Sequence, residues 1–68
     1  MTEVIACKQI ESIRFEVFEE EPNALYRIVK MHLNPIAIDN IWEARNKMEA
    51  MMVYHREVAN YLAETMEK

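Results

Sequence analysis

The chain of 68 residues contains no glycine, and this absence bears directly on its fold. Hairpin turns of the primed types need positive φ angles, which glycine adopts without steric cost. The chain also has no Asn-Gly or Asp-Gly dipeptide, the strongest short signal for a hairpin. A sheet of many strands joined by tight turns is therefore disfavoured. The same absence excludes the glycine-rich phosphate loops of P-loop and dinucleotide-binding proteins.

Cysteine, basic charge and long apolar runs are also scarce. Cys7 is the single cysteine, which excludes a disulfide within the chain. Eight basic residues stand against twelve acidic ones, giving a net charge of −4 that attracts nucleic acid only weakly. No apolar run approaches the ~20 residues of a membrane span, and Glu3 and Lys8 interrupt a signal-peptide pattern. We expect a cytoplasmic protein that binds neither nucleic acid nor a membrane.

No combination of residues indicates catalysis or a cofactor. His32 and His55 lie on separate segments, and Ser12, the single serine, has no recognisable motif around it. The stretch MEAMMVYHREV (48–58) contains thioethers and an imidazole, which are soft ligands for copper. No further pair of residues at metal-ligand spacing accompanies them, and the same side chains suit packing. We therefore predict no catalytic residue, no cofactor and no metal site.

The residues that are abundant favour helix. Glu, Ala, Met, Lys, Arg and Leu are good helix formers, and 51% of the chain is apolar. We predict a single all-α domain over residues 1–68, with two short helices and one long C-terminal helix. The predicted helices cover Thr2–Glu20, Asn23–Leu33 and a segment that Asp39 caps and that continues nearly to the C-terminus. Proline separates them, because it neither continues a helix nor allows helical geometry in the residue before it.

The first of these segments also carries a strand pattern. Ile13, Phe15 and Val17 alternate with charged residues, which is typical of a half-buried strand. In the alternative, this segment pairs in antiparallel fashion with LYRIVKMHL (25–33). The fold would then be α+β, with an N-terminal β-hairpin and the same C-terminal helix.

The long C-terminal helix has apolar residues at heptad spacing, which predicts a helical hairpin or coiled-coil-like oligomer. A chain this short has a small core, and self-association is one way to stabilise it. His55 would either occupy a seam position, where a polar side chain fixes the register and its protonation makes assembly depend on pH, or be a partly exposed histidine at a helix boundary. Seven residues form the predicted interface: Ile41, Met48, Met51, Met52, His55, Val58 and Leu62.

These patterns predict a non-catalytic protein–protein interaction protein: an adaptor, regulator or inhibitor. It would act as a homo-oligomer, a dimer or larger, and would bind another protein. One alternative is a helix-turn-helix-like DNA-binding regulator, in which Arg27 and Lys30 contact phosphates. Another is a helical oligomer that binds a small ligand between subunits through Arg45, Tyr54 and Arg56.

Overall fold

The computed structural model of the chain describes residues 2–22 and 24–66. It contains an antiparallel sheet of four strands followed by one helix. The elements are β1 (Glu3–Ile10), β2 (Ile13–Glu21), β3 (Leu25–Leu33), β4 (Ile36–Ala44) and α1 (Lys47–Met66). The strands lie in the sheet in their order along the chain, with β1 and β4 at the edges. The fold is α+β, so the predicted all-α fold is wrong.

The first two predicted helices are strands. The segment predicted as Thr2–Glu20 forms most of β1 and β2, and the segment predicted as Asn23–Leu33 forms β3, with its first residue outside the described part. Ile13, Phe15 and Val17 bury their side chains on one face of β2. β2 pairs with β3, as in the alternative. Burial of β-branched and aromatic side chains on a pleated sheet outweighs the small differences in helix propensity.

The connections between strands are short although glycine is absent. A two-residue loop, Glu11-Ser12, joins β1 to β2, and Glu11 has a φ of 56° in the left-handed region. A second two-residue loop, Asn34-Pro35, joins β3 to β4. Positive φ costs a residue other than glycine roughly 1–2 kcal/mol. The interpretation that tight hairpins are disfavoured was wrong, because the hydrogen bonds and packing of the sheet offset that cost.

The helix begins at Lys47 and not at Asp39, which lies in β4. Asn46 is the N-cap, since its side-chain oxygen accepts a hydrogen bond from the backbone N–H of Glu49 at 2.8 Å. Twenty residues make α1 about 30 Å long. The helix is therefore about as long as the strands, and it contacts β2, β3 and β4.

The core lies between α1 and one face of the sheet. Phe15, Val17 and Ile28 are completely buried there. The ring of Tyr61 packs edge-on against Phe15 with a centroid distance of 6.0 Å. Nine buried residues form the core cluster: Ile13, Phe15, Val17, Tyr26, Ile28, Ala44, Ala50, Tyr54 and Val58. The apolar inner side of the helix is thus covered by its own chain.

Candidate functional site

The strand register assigns side chains to two faces of the sheet. Residues that pair directly share a face, and neighbours along a strand point to opposite faces. Val17 pairs with Ile28 on the covered face, where α1 lies. Glu16 pairs with Val29 on the other side, which we call the open face because α1 does not lie on it. The open face is therefore available for binding.

Six apolar side chains of the open face form one contiguous surface along β3 and β4. They are three directly opposed pairs, Val29 with Ile41, Met31 with Ile38, and Leu33 with Ile36. The isoleucines of β4 are 42%, 61% and 76% exposed at positions 41, 38 and 36. We call these six residues the sheet patch. Contiguous exposed apolar surface of this kind is typical of interaction sites.

The charged side chains beside the sheet patch are paired within the chain. Nε of Arg14 lies 3.1 Å from a carboxylate oxygen of Glu16. Nη2 of Arg27 lies 3.1 Å from Glu20 and 3.2 Å from Glu43. Such partly exposed ion pairs add little stability. They do leave the open face with charges of both signs close to one another.

A second apolar surface lies on the solvent side of α1. Met48, Met52 and Met66 are 76%, 65% and 82% exposed. They continue through other exposed residues at steps of three or four, which places them along one line of a helix. We call this line the helix stripe: Met48, Met52, His55, Ala59, Ala63 and Met66.

Three residues of the predicted interface belong to the inner side of α1. Val58 is a core residue that is only 8% exposed. Met51 and Leu62 are partly buried and pack against the core cluster. The predicted coiled coil is therefore wrong, because the sheet of the same chain occupies the side of the helix that a partner helix would need.

The other four predicted interface residues lie on two separate surfaces. Met48, Met52 and His55 are exposed in the helix stripe, whereas Ile41 lies in the sheet patch on the far side of the sheet. The His55 ring contacts Tyr54, with centroids 5.1 Å apart, but His55 itself is exposed. It therefore lacks the burial that the predicted seam position and pH dependence require.

The residues of the two alternative functions are also dispersed. Arg27 and Lys30 lie on opposite faces of β3, with the Lys30 ammonium 5.4 Å from the Tyr61 ring centroid. A helix-turn-helix needs two helices, and the described residues form one. Of the predicted ligand contacts, Tyr54 is buried in the core whereas Arg45 and Arg56 are exposed.

Cavities and metal-binding clusters do not provide a further site in residues 2–22 and 24–66. No pocket is found there, and no group of three or more His, Cys, Asp or Glu side chains is placed to hold a metal ion. Nε2 of His32 lies 2.7 Å from Oδ2 of Asp39 in a partly exposed pair. Sequence reasoning missed this contact, because the two residues had been assigned to different helices.

Tyr54 is a buried titratable side chain on the covered face. Its side chain points from α1 into the core and is 7% exposed. Burial raises the pKa of the Tyr54 phenol above its ordinary value of 10.0, and negative charge on Cys7 adds to the increase. Tyr54 is therefore more shielded from water than the exposed isoleucines of the open face.

Sequence reasoning missed most of the sheet patch. The sequence patterns predict no role for Met31, and they place Ile36 and Ile38 between two predicted helices. The available signal was the Ile-Ala-Ile alternation after Pro35, in residue types that favour strands. Only a register could show that these residues meet the apolar side chains of β3.

No protein-family model matches the chain, and no curated protein or solved structure matches it either. The functional argument therefore depends on the two apolar surfaces themselves. No helix in the described residues combines the length and apolar composition needed to cross a membrane.

Proposed function

We propose that the chain is a non-catalytic protein–protein interaction protein of the cytoplasm, an adaptor, regulator or inhibitor that binds another protein through the helix stripe. The observation that carries this proposal is the exposure of Met48, Met52 and Met66 along one line of α1. The helix has already buried a different side against the sheet. A second apolar line on the same helix adds nothing to the fold of the single chain, which supports a role in binding.

The chemistry of the helix stripe suits a protein partner. Methionine is unbranched and polarizable, so it adapts to the shape of the surface it meets. Ala59 and Ala63 are small, which allows the backbone of a partner to approach closely between the methionines. From residue 48 to residue 66 the helix stripe is about 27 Å long. This length matches an apolar groove or a helix of several turns on the partner.

The fold holds the helix stripe in place before binding. Ala50, Tyr54 and Val58 anchor the opposite side of α1 in the core. The Asn46 cap orders the first turn, next to Met48. A surface that is already ordered loses less conformational entropy on binding, so more of the contact energy remains for affinity.

The experiment that tests the proposed function compares two substitutions with the same charge. Wild-type protein, Met52→Asp and Asn60→Asp are immobilised and exposed to lysate of the source organism, and retained proteins are quantified by mass spectrometry. Met52 is in the helix stripe, whereas Asn60 is exposed on another side of the same helix. We expect wild type and Asn60→Asp to retain the same partner. Met52→Asp should retain at least tenfold less of it, because a carboxylate cannot be buried in an apolar contact without a large cost.

The retained partner is then purified and titrated against the same three proteins in a calorimeter. Direct binding by wild type and Asn60→Asp is expected. Equal binding by Met52→Asp would show that the helix stripe is not the contact surface. An unrelated acidic helical protein, immobilised in the same way, is the negative control. If wild type retains no protein that this control does not also retain, the proposed function as a whole is contradicted.

A further inference from the structure

We propose that the sheet patch is the interface between two copies of this chain, which pack the open faces of their sheets together about a two-fold axis. This dimer goes beyond the proposed function and is compatible with it, because the second copy covers the sheet patch and leaves the helix stripe free for another protein. The layers across the whole dimer would then be helix, sheet, sheet, helix. The two helix stripes would lie on opposite outer surfaces.

The open face has the area of a small dimer interface, below the standard size, which fits a dimer that dissociates on dilution. Strands of eight or nine residues in a four-stranded sheet cover about 30 by 19 Å, from the usual rise and strand spacing. The flat area is therefore about 570 Å², before the relief of the side chains is counted. A stable interface buries roughly 800 Å² on each partner. Packing of one sheet on another is also a standard way to bury the inner faces of antiparallel sheets.

The exposed apolar side chains of the open face lie mainly on one half of it, which a two-fold axis can bring onto the same half of a second copy. The sheet patch occupies the β3 and β4 half of the open face. The β1 and β2 half carries the polar Gln9, Arg14 and Glu16 together with the apolar Val4 and Phe18. In a two-fold dimer the same surface serves both partners, so one sheet patch meets another.

The side-chain types favour one constant partner. Isoleucine and valine are branched at Cβ and stiff about χ1, so they lose little freedom on burial and present a fixed shape. Four of the six sheet patch residues are of these two types, the exposed ones being Ile36, Ile38 and Ile41. The helix stripe instead has flexible methionines. A fixed shape suits a second copy of the same chain, which is always the same partner.

The charges of the open face are compatible with a second copy. The net charge of −4 makes two copies repel one another at long range. The sheet patch itself has no ionisable side chain, and the nearest ones are paired: Arg14 with Glu16, and Arg27 with Glu20 and Glu43. No unpaired acid from one copy therefore needs to meet the same acid of the other at the centre. Charges elsewhere are screened beyond about 8 Å at physiological salt.

The first test measures mass in solution with two matched variants. Light scattering coupled to size exclusion should give wild type twice the 8.1 kDa chain mass, with dissociation on dilution. Ile38→Asp places a carboxylate in the sheet patch and should raise the dimer dissociation constant at least a hundredfold. Met52→Asp is the control, since Met52 is 65% exposed and Ile38 is 61% exposed. That variant should remain a dimer.

The second test measures distances between spin labels. Cys7, the single cysteine, pairs with Glu16 and so lies on the open face. Labels there should be within about 30 Å of one another across the dimer, since packed sheets are about 10 Å apart. Labels on Met52→Cys, in a Cys7→Ser background, should be near 40 Å apart, because each helix layer adds about 10 Å outside its sheet.

Three results would overturn the dimer: wild type that is monomeric at every concentration, Ile38→Asp that remains dimeric, or labels at 52 that are closer together than labels at 7. Circular dichroism checks whether Ile38→Asp is folded. If it is not, Ile38→Thr keeps a side chain branched at Cβ and should still weaken the dimer at least tenfold.

The two proposals fail separately. A monomer that still binds its partner overturns the dimer alone, and an intact dimer that binds no partner overturns the proposed function alone.

Discussion

The two faces of the sheet are both apolar, but only one of them is covered. On the covered face Phe15, Val17 and Ile28 are completely buried, whereas on the open face Ile38 and Ile36 are 61% and 76% exposed. Antiparallel sheets commonly pack one face on the core and turn a polar face to water. This sheet departs from that rule most along β3 and β4, whereas along β1 and β2 the same face mixes Val4 and Phe18 with Gln9, Arg14 and Glu16. One helix of twenty residues covers one face and leaves apolar side chains of the other face exposed.

The comparison predicts that substitutions of equal kind have very different effects on the two faces. In the monomeric Ile38→Asp background, Phe15→Ala should lower the free energy of unfolding by about 3–5 kcal/mol, because it leaves a cavity in the core. Ile36→Ala should change it by less than about 0.5 kcal/mol, since that side chain already faces water. Urea denaturation followed by circular dichroism measures both. Similar losses for the two variants would mean that the open face contributes to the fold of the single chain.

A smaller effect on stability is expected from removing the N-cap of α1, the helix on the covered face. Asn46→Ala removes the hydrogen bond that caps α1 and should cost about 1 kcal/mol of unfolding free energy. Asn60→Ala is the matched control, an exposed position inside the same helix where alanine should raise stability by a few tenths of a kcal/mol. Thermal denaturation measures the two changes. If both variants shift in the same direction, the cap does not hold the helix over the covered face.

The smallest effect is expected at alkaline pH. The pKa of Tyr54 is raised in the folded chain, so an unfolded chain loses this proton at a lower pH. Its contribution to stability is therefore complete below about pH 10 and is lost as the pH rises through the raised value. Denaturation between pH 9 and about 11 should show wild type losing more stability than Tyr54→Phe. Equal losses in the two proteins would contradict the link between burial and this pKa.

The α+β fold was only partly accessible from the sequence. The alternation of Ile13, Phe15 and Val17 indicated a strand, and its pairing with 25–33 was recognised as an alternative. The prediction of a helix for the segment 25–33 was wrong, because apolar residues at both odd and even positions fit one side of a helix as well as two sides of a strand. The absence of glycine argued against hairpins, yet Glu11 provides the positive φ that one turn uses.

The candidate site was predictable only in part, for a related reason. Met48, Met52 and His55 are neighbours along a single helix, and local spacing was enough to group them. The same spacing wrongly added Val58, which the sheet buries. The sheet patch depends on contacts between β3 and β4, which no spacing along one segment could show.

The sequence by itself determined the absence of an internal disulfide and indicated a helix in the C-terminal third. These follow from composition and from contacts within a few residues. The tertiary structure decided that the first two thirds form strands, that α1 lies on one face, and that Ile36, Ile38 and Ile41 remain exposed on the other. Strand pairing joins residues far apart in the chain, so its register and the face it leaves open depend on the folded molecule as a whole.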